Sequence, residues 1–186
     1  LLELAEDVLE ANEGVALAPE ARFPERELPG AVTVVTDASG VDGVGGYALD
    51  PARPGEAWLV SELWPADVQA ALDRSQRPQA ERERAPDAAE GRLSMPAAET
   101  FGQWAVAQAY AEATDSTPTA VTAVGDCDSA AAALNAAASG RPQMRQLLRG
   151  ARALCTQWLG VSIPREFNLD ADRLSHPALI EEVRRD

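Results

Sequence analysis

Residues 31–50 read AVTVVTDASGVDGVGGYALD. A β-branched apolar run, Val32 to Thr36, ends on one carboxylate, Asp37. The small polar turn Ala38-Ser39-Gly40-Val41-Asp42-Gly43 follows, and a second apolar run extends from Val44 to Leu49. This pattern predicts two antiparallel strands joined by a Gly-rich turn, with Asp37 at the end of a buried strand. Asp-x-Ser-Gly is ordinary turn chemistry. A carboxylate at the end of a buried strand is nevertheless costly unless it is paired or faces a cation. Gly43-Val44-Gly45-Gly46-Tyr47-Ala48 also fits G-x-G-x-x-A. A dinucleotide site needs a helix to start on that motif, so that its amides meet the pyrophosphate. Here the chain runs to Pro51 without helical period, which argues against a nucleotide cofactor.

A second strand-end carboxylate lies downstream. Thr119 to Gly125 (TAVTAVG) reads as a strand of the buried parallel type. It ends in Asp126-Cys127-Asp128-Ser129, and an Ala-rich helix is expected over Ala130 to Ala138. An N-cap Asp explains one such residue. Two strand-end carboxylates in one small domain point to a site, because open α/β sheets build sites at the carboxyl ends of strands.

Between these runs, Glu56 to Ser61 forms a short third strand, and Trp64-Pro65 opens a helix through Leu72. Arg74 to Arg92 is charged, rich in Pro and Ala, and aperiodic, as an exposed loop is. Ser94 is a candidate cap and Pro96 suits the first turn of a helix that continues through Phe101, Trp104, Ala105, Gln108 and Ala109. Glu99 falls in its first turns, near the inward face. Pro142 to Leu159 reads as a long helix with Arg141, Arg145, Arg149 and Arg152 along one side. No acidic residue interrupts that stripe, which makes it a phosphate-binding candidate in so acidic a protein. A last strand, Gly160 to Pro164, a turn over 165–168 and a short helix from Leu169 to His176 close the pattern.

Ahead of all this, Leu1 to Asn12 has helical spacing, and a loop rich in Pro, Glu and Arg leads to Pro29-Gly30. The absence of an initiator Met suggests a piece of a longer chain. The 186 residues are 46% hydrophobic, enough for a real core. No run of about 18 apolar residues exists, so no membrane helix is expected, and the N-terminus is unlike a signal peptide. Cys127 and Cys155 make neither a disulfide framework nor a metal spacing, so an intracellular setting, cytoplasm or nucleus, is expected. The net charge is −14, from 30 acidic and 16 basic residues, all of the latter Arg. The acid excess lies before Thr119; beyond it acids and bases balance. Long-range attraction to nucleic acid is thereby excluded, and any such binding must be local.

The expected element order is β-β-β-α-β-α-α-β-α, with carboxylates at Asp37, Glu99, Asp128 and Asp172. Together with Thr36-Asp37-Ala38-Ser39, Gly45-Gly46-Tyr47-Ala48, Ala98-Glu99, Asp128-Ser129, Ala133-Leu134-Asn135 and the closing Ile163-Pro164-Arg165-Glu166-x-Asn168-x-x-Ala171-Asp172-x-Leu174-Ser175, this order resembles the ribonuclease H family. It resembles in particular the ribonuclease H domains attached to retroelement reverse transcriptases, and the closing segment is its most specific part. The similarity covers Pro29 to Pro177.

The resemblance implies an α/β fold with a five-stranded mixed sheet, three antiparallel strands then two parallel, flanked by helices. Residues 29–186 would form this domain, with an insertion around 64–94. Residues 1–28 would be a leading helix and linker, similar to the end of a polymerase thumb or connection region. The implied activity is endonucleolytic hydrolysis of the RNA strand of an RNA–DNA hybrid during reverse transcription. The implied cofactor is a pair of Mg²⁺ ions, with Mn²⁺ as a substitute. Asp37 would bridge both ions, Glu99 and Asp128 would hold the one near the leaving group, and Asp172 the water-side one. Asp126 competes with Asp128, which is preferred because Ser129 follows it; Asp170 similarly shadows Asp172. Ser39, Gly40, Ser129, Arg165 and Asn168 join the Arg141, Arg145 and Arg149 stripe as expected substrate contacts. The implied partners are the hybrid and a polymerase domain of the same polyprotein, with no membrane. The loop 165–168 lacks the His that family members often carry, and the only His, His176, follows Asp172. The competing reading is a catalytically silent connection module on the same fold.

Overall fold

A computed structural model describes residues 28–76 and 93–177. The leading helix expected over 1–12, most of the 74–92 loop and the C-terminal tail lie outside the described residues. The chain forms β1 (Val32–Ala38), β2 (Gly43–Leu49), β3 (Ala57–Leu63), α1 (Ala66–Gln76), α2 (Met95–Thr114), β4 (Ala120–Gly125), α3 (Asp128–Ala136), α4 (Pro142–Leu154), β5 (Gln157–Ser162), a 3₁₀ turn (Arg165–Phe167) and α5 (Leu169–Leu174).

The five strands make one sheet in the order β3-β2-β1-β4-β5. β1 pairs antiparallel with β2 and parallel with β4. β2 pairs antiparallel with β3, and β4 parallel with β5. This is the mixed sheet expected from sequence. Its centre is the quoted stretch, and the central position of β1 explains the unbroken apolar run: both of its faces are covered. Val34 joins a core with Val106, Ala107, Tyr110, Val121, Leu134 and Leu148 on the side of α2, α3 and α4. Val35, on the opposite face, joins Val124, Leu159, Val161, Ile163 and Ala171 under α5.

The β1–β2 turn forms as its chemistry predicts. Ser39 Oγ accepts the N–H groups of Val41 and Asp42, and Ser39 N–H donates to the Gly43 carbonyl. Trp64 anchors the far side by donating its indole N–H to the Ser39 carbonyl at 2.7 Å.

Several boundaries differ from the sequence expectation. The helix expected to run to Leu159 stops at Leu154, where Cys155 turns extended (φ −150°, ψ 139°). Trp158 and Leu159 belong to β5 instead. The apolar period continues across the break, so it hides it. The indole of Trp158 donates to the carbonyls of Ala151 and Cys155, satisfying acceptors that a continuing helix would have used. β5 consequently starts at Gln157 rather than Gly160. Ser94 sits at the N-cap of α2, but its hydroxyl makes no capping hydrogen bond. α3 begins at Asp128 rather than Ala130, with Cys127 at its N-cap.

Candidate active site

Register places the first two site residues. β1 and β4 align Val35 with Val124. Two residues further along, where both strands run out, Asp37 and Asp126 stand level. Glu99 arrives from above, in the second turn of α2, whose inner face (Ala98, Glu99, Gly102, Gln103) is buried against the sheet. A side chain at Gly102 would press on Val44, so a small residue there lets α2 approach closely. The result is three carboxylates, Asp37, Glu99 and Asp126, each offering an oxygen within 4.8 Å of the others. Asp37 is 6% exposed and Glu99 5%.

Nothing nearby neutralises this group fully. Burial raises the Glu99 carboxyl to about 9, helped by the charges of Asp37 and Asp126 and opposed by a hydrogen bond from the Ala38 backbone. Its Oε2 is buried and has no hydrogen-bond partner. Burial also raises the Asp37 carboxyl; the hydrogen bond from Ser175 opposes this, and the charges of Asp126 and Asp172 add to it. Crowded, desolvated carboxylates with an orphan oxygen fit a bound divalent cation, whose charge would replace the missing counter-charge. All the donors are oxygens, as a hard cation requires.

Asp172 stands at the rim, on α5. Its Oδ1 accepts from Arg165 Nη2 at 3.0 Å, and its charge is felt by Asp37. Asp170 points elsewhere: it faces Arg173 at 3.7 Å and acts on Tyr47. Of the two, it is Asp172 whose charge acts on Asp37. Arg165 is 74% exposed, and the carboxylates around it raise its own pKa further.

The other expected residues divide. Asp128 and Ser129 occupy the exposed first turn of α3, and Asp128 is not in the three-carboxylate group. Asp126, set aside on sequence, stands in the position assigned to Asp128. Ser39 is 7% exposed with its oxygen committed to the turn, and the Gly40 carbonyl accepts from Gln69. Asn168, expected at the substrate, is 2% exposed and donates to the Thr36 carbonyl at 3.0 Å. Its amide nitrogen braces β1, and its Oδ1 is buried without a hydrogen-bond partner. Arg141, Arg145 and Arg149 are exposed along α4. Arg145 closes on the carbonyls of Ser139 and Gly140. The strand that follows α4 begins level with Ala120, about 20 Å of strand from Asp126.

Sequence reasoning named Asp126 only as the competitor of Asp128 and gave Ser175 no role. Asp126 was discoverable by aligning the two parallel apolar runs end to end. Ser175, which holds Asp37, gave no signal beyond its place in the closing segment.

No protein-family model matches the sequence, and no curated protein matches it. Among solved structures, the chain is similar to the N-terminal RNase H domain of Rv2228c from Mycobacterium tuberculosis, solved as a fusion with maltose-binding protein. That match has 17% identity and a TM-score of 0.51, covering 77% of this chain and 95% of that one. RNase H1 from the halophilic archaeon Halobacterium salinarum NRC-1 matches at 18% identity and a TM-score of 0.51, covering 81% of this chain and 97% of that one. The mixed sheet, its strand order and its flanking helices therefore make this an RNase H-like fold.

Proposed function

We propose that this chain is a divalent-metal-dependent endonuclease that hydrolyses the RNA strand of RNA–DNA hybrids. The observation that carries the reading is the buried, unneutralised cluster of Asp37, Glu99 and Asp126 at the carboxyl ends of β1 and β4. Those three residues, with Asp172 as the fourth, would hold the cations. When bound, two Mg²⁺ ions, or Mn²⁺ in their place, activate a water and stabilise the leaving oxygen of an in-line displacement.

The chain's own residues prepare this chemistry. Burial and the neighbouring carboxylates favour the protonated Glu99 carboxyl, so loading of the site would release acid. Burial of Asp37 and Glu99 keeps bulk water from screening them, which strengthens their hold on a cation. Arg165 orients Asp172 and leaves most of its guanidinium open to a substrate phosphate. Ser129, exposed beside the site, and the Arg141, Arg145 and Arg149 face are the proposed contacts to more distant backbone phosphates. The RNA strand would be distinguished by its 2′-hydroxyls and groove shape.

The closing pattern from Ile163 to Ser175 supports a finer reading: a retroelement reverse transcriptase as the parent protein, with residues 1–28 leading from its polymerase region. A net charge of −14 makes a share of hybrid affinity from that polymerase domain reasonable. The implied setting is intracellular.

The test is cleavage of a labelled RNA–DNA hybrid in Mg²⁺ or Mn²⁺ by this chain and by Asp37→Asn. Metal-dependent cutting of the RNA strand that disappears in the variant is the expected result. No cutting by folded protein, alone or joined to the preceding domain, would overturn the nuclease reading in favour of a silent module.

A further inference from the structure

Residues 174–176 are held from three sides. The Leu174 carbonyl accepts from Ser61 Oγ on β3 at 2.6 Å. The Leu174–Ser175 peptide lies flat on Gly45 of β2: a Cβ there would sit 2.0 Å from Leu174 C and 2.2 Å from Ser175 N. His176 Nδ1 pairs with Asp42 Oδ2 in the β1–β2 turn. Ser175 N–H is tied to the Ala171 and Asp172 carbonyls.

This clamp presents one functional group, the Ser175 hydroxyl, which is wholly buried. Its Oγ lies 2.7 Å from Asp37 Oδ2 and 2.8 Å from the Asp172 carbonyl. A hydroxyl has one proton and two acceptor lone pairs. The charged carboxylate is the stronger acceptor, so the proton goes to Asp37. Because Ser175 caps α5, which carries Asp172, this one hydrogen bond joins the helix end to the side chain at the end of β1. Among the described residues, Ser175 is the side-chain donor to the Asp37 carboxylate.

We infer that Ser175 is a positioning residue. Its hydroxyl, placed by the packing of the Leu174–Ser175 peptide on Gly45, fixes the Asp37 carboxylate toward Glu99 and Asp126 and sets its distance from Asp172. The inference rests on the cation-binding reading only for its consequence; the positioning itself is a property of the metal-free protein. Partners that orient a ligand from behind are worth roughly 10–100-fold in metal affinity.

The experiment uses the full chain, Ser175→Ala, and Ser61→Ala as a control that loosens the same segment but keeps the Ser175 hydroxyl. The Asp37 χ1 couplings are measured by NMR without metal, Mg²⁺ affinity by calorimetry, and hybrid cleavage as kcat and KM separately. In Ser175→Ala we expect Asp37 to average between rotamers, Mg²⁺ affinity to fall about tenfold, and kcat to fall with KM held. Ser61→Ala should keep a single Asp37 rotamer. A single Asp37 rotamer with wild-type Mg²⁺ affinity in Ser175→Ala would overturn the inference. Averaged rotamers in the variant, with no Mg²⁺ binding by either protein, would support the positioning role and overturn the nuclease reading instead.

Discussion

Asp50 and Glu99 lie at opposite ends of the same sheet and show what a fold does with a carboxylate when it has no other use for it. Asp50 follows β2 at the end away from the site. Tyr110 donates to its Oδ2 at 2.6 Å, the Ala52 N–H to its Oδ1 at 2.9 Å, and Arg53 lies 3.8 Å away. These partners hold its pKa below the ordinary value, Tyr110 foremost. The rings around it are in good order: Trp58 packs edge-on against Tyr110, and Arg53 lies over Trp58. Glu99 has one backbone partner, an orphan oxygen, two acidic neighbours and a pKa pushed up to about 9. One end spends its polar groups on stability. The other crowds three carboxyl groups together with a buried oxygen left unpartnered, which is where a cation has most to offer.

The largest effect expected is on activity, and it distinguishes two neighbours in sequence. Asp126→Asn should lower hybrid cleavage by more than about 100-fold, beyond the loss from an outer partner of a ligand. Asp128→Asn, on an exposed turn, should change it by about twofold, the scale of a surface substitution. Parallel steady-state assays of the two variants decide this, and the reverse ranking would move the site one turn into α3.

That pair also marks where the sequence stopped being legible. Asp37 and Glu99 were readable because a charge that ends an apolar run, or sits on an inward helix face, violates the local pattern. Asp126 and Asp128 both follow such a run, and the Ser129 neighbour favoured Asp128, which is not in the three-carboxylate group. Only the β1–β4 register separates them, and register is a pairing between segments some ninety residues apart. The end of α4 was hidden for a related reason: Trp158 continues the helical apolar spacing, while its indole closes the helix from the next strand. The arginine stripe does form an exposed face of α4, as its spacing suggested. Asn168 shows the converse. Its place in the closing segment suggested substrate, and the structure uses its amide to brace Thr36.

The two ends should also respond to pH with opposite sign. Folded Glu99 keeps a proton that the unfolded chain has released between its ordinary 4.5 and about 9. The folded state therefore binds more protons in that window, and metal-free stability falls as pH rises, by at most about 1.4 kcal/mol per unit for this one group. The shift at Asp50 is downward, so its contribution is present above its ordinary 3.8 and is lost as pH falls through the folded value. Urea unfolding in EDTA should thus show greatest stability near about pH 4–5. Mg²⁺ should stabilise increasingly toward pH 8, because loading requires the deprotonated carboxyls. A flat profile from pH 5 to 8 in EDTA would erase the contrast between the ends.

Single substitutions test the same contrast with smaller effects. Glu99→Gln removes the carboxyl that must take up a proton to be buried at pH 8, and lets the side-chain amide donate toward Asp37 or Asp126. Metal-free stability at pH 8 should rise by about 2 kcal/mol while cleavage is lost. Tyr110→Phe at the other end removes one buried hydroxyl and leaves Asp50 with its backbone and Arg53 contacts. Stability should fall by about 1.5 kcal/mol, within the range for a hydrogen bond to a charged group. Mg²⁺ affinity should not change, since Asp50 follows the opposite end of β2 from Gly45, the residue level with Asp37. Chemical denaturation and calorimetry on the two variants give both numbers. A gain from Glu99→Gln with a loss from Tyr110→Phe would mean that the fold tolerates strain at one end because it is well satisfied at the other. A loss from both would make Glu99 an ordinary buried side chain whose burial the packing of α2 already offsets.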